Sequence, residues 1–145
     1  MEPTIYLFFN GNCLEAMTHY ARTLGGEIAS VLRNGDAPDG ASRMPGGGDL
    51  VMNMSMRLGA ATVMASDAPG GMYRAPQGFA VSIAPPSRAE FDRIFAGLSE
   101  GAQAVMMPPG ETFWAERFAM FTDRFGTPWM LGFAGSKGAP QEAAR

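Results

Sequence analysis

The sequence is poor in the residues that usually announce chemistry. Its 145 residues include one cysteine, Cys13, and one histidine, His19. A lone thiol rules out an internal disulfide and fits a reducing compartment. A lone imidazole rules out any metal centre that needs two histidines beside a carboxylate. Charged residues make up only 17% of the chain, the net charge is −3, and the basic residues are scattered. Nucleic acid and anionic membranes both select a concentrated cationic surface, so neither is an expected partner. Long apolar runs are missing too. The start, Met1-Glu2-Pro3-Thr4, carries no positive n-region, so no signal peptide is expected. The first apolar stretch, Ile5 to Phe9, falls far short of the roughly 20 residues of a membrane span. The expected location is the cytoplasm. No glycine-rich loop follows a strand, which removes the usual cradle of a nucleotide cofactor.

What is present suits a globular fold. Hydrophobic residues are 46% of the chain, and a chain of this length buries roughly 68–70% of its unfolded surface without a staple. Thr4 to Phe9 is too short for a helix and reads as a strand buried on both faces. Asn12 with Glu15 resembles a capping box, and Ala16, Met17, Tyr20, Ala21 and Leu24 form an apolar stripe at helical spacing that ends at Gly25-Gly26. Glu27 to Arg33 reads as a second strand. Residues 34–49 lack periodicity and are rich in Gly, Pro and Asp, a length of loop that is either mobile or functional. From Leu50 to Leu58, apolar residues alternate with Val51, Asn53, Ser55 and Arg57, and Gly59-Ala60 turns the chain into a strand over Ala61 to Ser66.

The order then recurs. Gly78 to Ile83 is strand-like, Ser87 with Glu90 makes a capping box, and Phe91, Ile94, Phe95 and Leu98 form a helical stripe closed by Gly101. Gln103 to Met107 reads as a strand, Pro108-Pro109-Gly110 as a turn, and Arg117 to Phe133 as a hairpin around Arg124-Phe125-Gly126. The expectation is an α+β chain of two tandem βαβββ modules, about 1–67 and 77–134, in one domain over 1–134, with 135–145 a flexible tail. Arg57-Leu58-Gly59 and Arg124-Phe125-Gly126 are taken as matching places in the repeat. A ferredoxin-like sandwich is the competing fold but has fewer strands.

Several segments carry a resemblance. Tyr6-Leu7-Phe8-Phe9-Asn10-Gly11-Asn12-Cys13-Leu14-Glu15-Ala16 with Leu24-Gly25-Gly26, then Met64-Ala65-Ser66-Asp67, then Glu111-Thr112-Phe113-Trp114-Ala115, Phe121-Thr122-Asp123-Arg124-Phe125-Gly126 and Trp129-Met130 occur in order. They resemble the PhnB-like branch of the glyoxalase, bleomycin-resistance and extradiol-dioxygenase (vicinal oxygen chelate) superfamily. The resemblance covers nearly the whole chain apart from 34–49 and the tail. It implies curved mixed sheets around a cleft and a homodimer. The superfamily holds metal-dependent lyases, isomerases and dioxygenases as well as metal-free proteins that sequester antibiotics, so fold alone does not choose the function.

The metal-ligand positions the resemblance implies fall on Asn53 and at or beside Met130, an amide and a thioether in place of imidazole and carboxylate. No metal ligand is assigned and no cofactor is expected. The candidate ligand-binding residues are Asn53, Ser55 and Arg57 on the polar face of the third strand, Glu111, Phe113 and Trp114 on a loop, and Met130. Asn53 and Ser55 offer hydrogen bonds, and Arg57 offers a bidentate site for a carboxylate or phosphate. His19 reads as a solvated residue on the first helix. Cys13, at a helix start, is either a packing residue or a thiol of lowered pKa. The expected function is binding of a small organic molecule. The alternative is a divergent lyase, isomerase or dioxygenase, metal-dependent or metal-free, with Glu111 or Asp67 as carboxylate. A third reading is a dimeric interaction module.

Overall fold

The computed structural model describes residues 1–138. The chain forms two compact units, one over Met1–Ala75 and one from Pro76 onward. The first contains β1 (Ile5–Phe9), α1 (Cys13–Leu24), β2 (Glu27–Arg33), β3 (Val51–Leu58) and β4 (Ala61–Asp67). The second contains β5 (Val81–Ile83), α2 (Arg88–Ser99), β6 (Ala104–Gly110), β7 (Arg117–Thr122) and β8 (Pro128–Phe133). The sheet orders β1-β4-β3-β2 and β5-β8-β7-β6 are the same. In each, the first strand runs parallel to the last, and the remaining pairs are antiparallel. These are two similar βαβββ modules.

In the first unit, Cys13, Ala16, Met17, Tyr20 and Ala21 of α1 are buried, together with Leu7, Phe9, Met54, Met56 and Ala65 of the sheet. The apolar run of β1 is therefore buried on one face only, with Leu7 and Phe9 covered and Tyr6 and Phe8 exposed. A continuous apolar string conceals the difference between a strand covered on both sides and one presenting aromatic rings on its uncovered face. The alternation in β3 also breaks. Leu32 pairs with Asn53 and Arg33 with Val51, so Met52 is an extra bulged residue. The bulge turns Val51 into the core, where it is 1% exposed, and leaves Met52 at intermediate burial.

Helix α1 is not capped by Asn12, whose side chain makes no capping hydrogen bond. The Cys13 amide donates instead to Asp67 Oδ1 at 3.0 Å, and the Val51 amide donates to Asp67 Oδ2 at 2.8 Å. Asp67 is 2% exposed. One carboxylate thus ties the start of α1, the start of β3 and the end of β4. In α2, Ser87 Oγ accepts from the Glu90 amide at 3.1 Å as the capping motif predicts, while the Glu90 carboxylate pairs with Arg93 rather than closing the box.

The 34–49 segment is organised around Asn34, which is 1% exposed. Its Nδ2 donates to the Met44 carbonyl at 2.8 Å, and its Oδ1 accepts from the Met44 amide at 2.9 Å. The backbone closes the same neck, with the Asn34 amide donating to Leu50 O and the Gly35 amide to Gly48 O.

In the second unit, Phe91, Ile94 and Leu98 of α2 are buried, as are Ala119, Phe121, Trp129 and Leu131 of the sheet. Strand β6 runs on through Pro108 and Pro109, which are not a turn. Two irregularities in its pairing with β7 and its edge position accommodate residues that lack an N–H. Of the segment expected as a tail, Gly135–Lys137 forms a short 3-10 turn, and 139–145 lie outside the described residues.

Candidate functional site

Each sheet has one face against its helix and one face free of it. On the free face of the first sheet, alternation places Tyr6 and Phe8 of β1 beside Asn53, Ser55 and Arg57 of β3. Asn53 Nδ2 donates to the Tyr6 hydroxyl at 3.2 Å. The hydroxyls of Ser55 and Ser30 lie 2.8 Å apart. Arg57 Nη2 meets Glu27 Oε2 at 3.2 Å, an ion pair with both side chains largely in solvent, so it holds the guanidinium only weakly. The three polar residues predicted on β3 do share a face, and each has a partner within its own sheet. Tyr6 and Phe8 join them, with ring centroids 5.0 Å apart. Both were visible in the sequence as an aromatic doublet at strand spacing, but the expected two-sided burial hid their exposure.

On the free face of the second sheet, Trp114 and Met130 line an open hollow of ≈ 650 Å³ together with Ser82, Phe118 and Gly132. Strand pairing explains the convergence: Ser82 pairs with Met130 and Phe118 with Gly132. Gly132 adds no side chain, so the floor stays low between Phe118 and Met130. Trp114 packs edge-on against Phe118 at 5.3 Å and against Phe113 at 4.8 Å. Phe113 itself is 88% exposed and does not line the hollow. The contributions of Ser82 and Phe118 escaped sequence reasoning, although the Phe118, Met120, Thr122 alternation carried the signal for the latter.

Glu111 also lies outside that lining. Its carboxylate is paired with the Lys137 ammonium, which also donates to the Thr112 carbonyl at 2.7 Å. The Lys137 hydrogen bond, then its charge, hold the Glu111 carboxyl below its ordinary range, with Arg88 adding a smaller attraction. Glu116 accepts from the Ser136 amide at 3.0 Å. Together these contacts fasten the Gly135–Lys137 turn to the loop that carries Trp114.

Cys13 is fully buried, and burial first and the Asp67 charge second push its thiol upward in pKa. The helix start does not activate it, because a carboxylate already occupies that end. His19 is half-buried, with its ring 6.4 Å from that of Tyr20.

Against known proteins, residues 2–131 match the family model described as 3-demethylubiquinone-9 3-methyltransferase. The chain belongs to that family. Protein YjdN of Escherichia coli is 33% identical over 139 residues, covering 90% of this chain and 94% of that one. Protein PA1353 from Pseudomonas aeruginosa shares 40% identity, with a TM-score of 0.80 over 92% of this chain and 97% of that one. A PhnB protein from Bacillus cereus gives a TM-score of 0.79 at 24% identity, over 92% of this chain and 100% of that one. In fold alone, a glyoxylase/bleomycin resistance protein/dioxygenase domain from Frankia matches at TM-score 0.62 and 13% identity, over 92% of this chain and 97% of that one. The two βαβββ modules thus have the fold of that Frankia domain, the fold that the motifs implied.

The metal centre that the resemblance implies does not fit the side chains here. Asn53 spends its amide nitrogen on Tyr6, Met130 offers a thioether, and the chain holds a single histidine, on α1. Among the described residues, no three His, Cys, Asp or Glu side chains gather at metal-binding distance.

Proposed function

We propose that this PhnB-like protein binds a small organic molecule on the helix-free faces of its sheets, without the metal centre of its catalytic relatives. The convergence of Trp114, Phe118 and Met130 on one open hollow, with a hydroxyl at Ser82, carries the proposal. Apolar and aromatic lining with few polar groups is the usual make-up of a small-molecule site. The thioether of Met130 gives that wall some adaptability. In the first unit, Tyr6, Phe8, Asn53 and Ser55 offer a second set of aromatic and hydrogen-bonding groups.

Trp114 is 45% exposed and Trp129 only 3%, so a ligand entering the hollow changes the emission of Trp114 selectively. The test is fluorescence titration of the purified protein with a panel of aromatic and amphipathic metabolites, repeated on Trp114→Phe and Met130→Glu. Saturable emission changes that vanish in both variants support binding there. A panel that leaves emission unmoved while one divalent metal stabilises the fold stoichiometrically would sink the proposal in favour of a metal enzyme.

The proposal includes a homodimer in the cytoplasm. The outer strand β6 exposes Val105, Met106 and Met107, and the outer strand β2 exposes Val31 and Leu32, apolar surface that a second copy would cover. Light scattering on the eluting protein measures its mass, and a monomer at micromolar concentration would refute that part. Among the described residues, no helix is long and apolar enough to cross a membrane.

A further inference from the structure

The first unit holds a separate apolar hollow, of ≈ 240 Å³, lined by Phe8, Ala68, Pro69, Met72 and Arg74. None of these residues belongs to the Trp114 hollow. Phe8 is 54% exposed and Met72 69%, so the wall offers two large apolar side chains to a ligand. Phe8 is held by its ring contact with Tyr6. The one cation in the lining is Arg74. Its Nη1 donates to the Gly71 carbonyl at 3.1 Å and to the Tyr73 carbonyl at 2.9 Å. Gly70 and Gly71, at φ 45° and 77°, supply the left-handed turn that curls the loop back on itself.

Those two bonds use both hydrogens of Nη1 and fix the guanidinium plane against its own loop. Among the described residues, Nε and Nη2 donate to nothing, and no carboxylate pairs with Arg74. The Nε–Nη2 edge carries two parallel N–H vectors, the fork that matches both oxygens of a carboxylate. A guanidinium already anchored by carbonyls loses less freedom on meeting such a ligand than a free one. The volume lies below the roughly 300–1,000 Å³ of pockets for drug-sized ligands, so the apolar body is limited to about one ring.

We infer that this hollow is a binding site for a small monocarboxylate with an apolar or aromatic body, the carboxylate on the Nε–Nη2 edge of Arg74 and the body between Phe8 and Met72. The site is open, and affinity for a one-ring probe falls in the range of roughly 1–10 mM.

The test is calorimetric and chemical-shift titration of the full chain with benzoate, and with benzamide as its uncharged isostere. Benzoate is expected to bind roughly tenfold or more tightly than benzamide. Arg74→Gln is expected to abolish that preference. Arg74→Lys keeps the charge without the fork and is expected to retain only part of it. Phe8→Ala is expected to weaken both ligands and keep the preference, which separates the apolar wall from the cation should Arg74→Gln disturb the loop. Chemical-shift changes centred on residues 68–74 report this hollow and those of Trp114 and Met130 the other, so failure of the other hollow is distinguishable from failure of this one. Equal binding of benzoate and benzamide, an undiminished preference in Arg74→Gln, or no saturation by benzoate up to about 50 mM would each overturn the inference.

Discussion

Replacing Asp67 by Asn tests whether one buried carboxylate holds three elements of the first unit in place. The side chain keeps its shape but exchanges one acceptor oxygen for an NH2 group. Either the Cys13 amide or the Val51 amide then faces a donor, although both now donate to Asp67 within 3.0 Å. Loss of one hydrogen bond to a charged group costs about 1.5–3 kcal/mol. Loss of the negative charge at the α1 N-terminus adds roughly 0.3–2 kcal/mol in so buried a setting. Relief from burying an ion offsets part of this, so the net expectation is a destabilisation of about 2–4 kcal/mol. At roughly 2–4 °C per kcal/mol for a chain near this size, the melting midpoint falls by about 5–15 °C. Asp67→Ala, which leaves both amides without an acceptor, should fall at least as far. The assay is thermal and urea unfolding followed by circular dichroism. Midpoints within about 2 °C of the parent for both variants would refute the claim that Asp67, rather than Asn12, caps α1 and holds β3.

Two further outcomes follow from titratable groups. The Cys13 thiol, raised by burial and by Asp67, should stay unreactive toward a thiol reagent up to pH about 9, where a free cysteine (pKa roughly 8.5) reacts readily, and should be released on unfolding. A raised folded pKa leaves stability intact below the unfolded value and erodes it as pH climbs past that value, so urea midpoints should begin to fall above about pH 8.5; rapid labelling of native protein at pH 8 would contradict the burial. Glu111 has the opposite sign: its folded pKa is depressed, so the Lys137 clamp is fully formed above the ordinary glutamate range and is lost as pH falls through the depressed value. Acid titration should therefore shift Trp114 emission in the parent protein, and Lys137→Met should remove that transition; an identical transition in the variant would show that the clamp does not position the loop.

The order of elements, both helices and most strand limits were legible because they rest on local periodicity and local punctuation. Tyr20 and Phe91 fall on helical stripes, and the Gly59 and Gly126 turns lie where the hairpins reverse. The departures share a cause, which is dependence on partners distant in sequence. Asn12 looks like a cap, but the real acceptor, Asp67, arrives on β4 and is chosen by sheet pairing. The Met52 bulge exists because β2 and β3 must pair on both sides of it, and alternation along one strand contains no trace of that. Pro108 and Pro109 read as a turn because prolines seldom occur in sheets, yet on this edge strand they fall at an irregularity of the β7 ladder, between the pairs Met107–Met120 and Gly110–Phe118. In the candidate site, alternation sets Asn53, Ser55 and Arg57 on one face of β3, and Trp114 and Met130 line one hollow of the second unit. Ser82 and Gly132 enter the hollow only through the β5–β8 and β7–β8 registers, which a sequence does not state.

The Asn34 neck has a consequence for how this chain tolerates change. Its bonds to Met44, with the Gly35–Gly48 and Asn34–Leu50 links, seal the segment at its base. Residues 38–43 are exposed and hang beyond that seal, so a foreign peptide grafted there would extend outward without sliding β3 along β2. The distal end of this segment is thus a natural place for a tag or reporter, insulated from both sheet faces by one amide side chain.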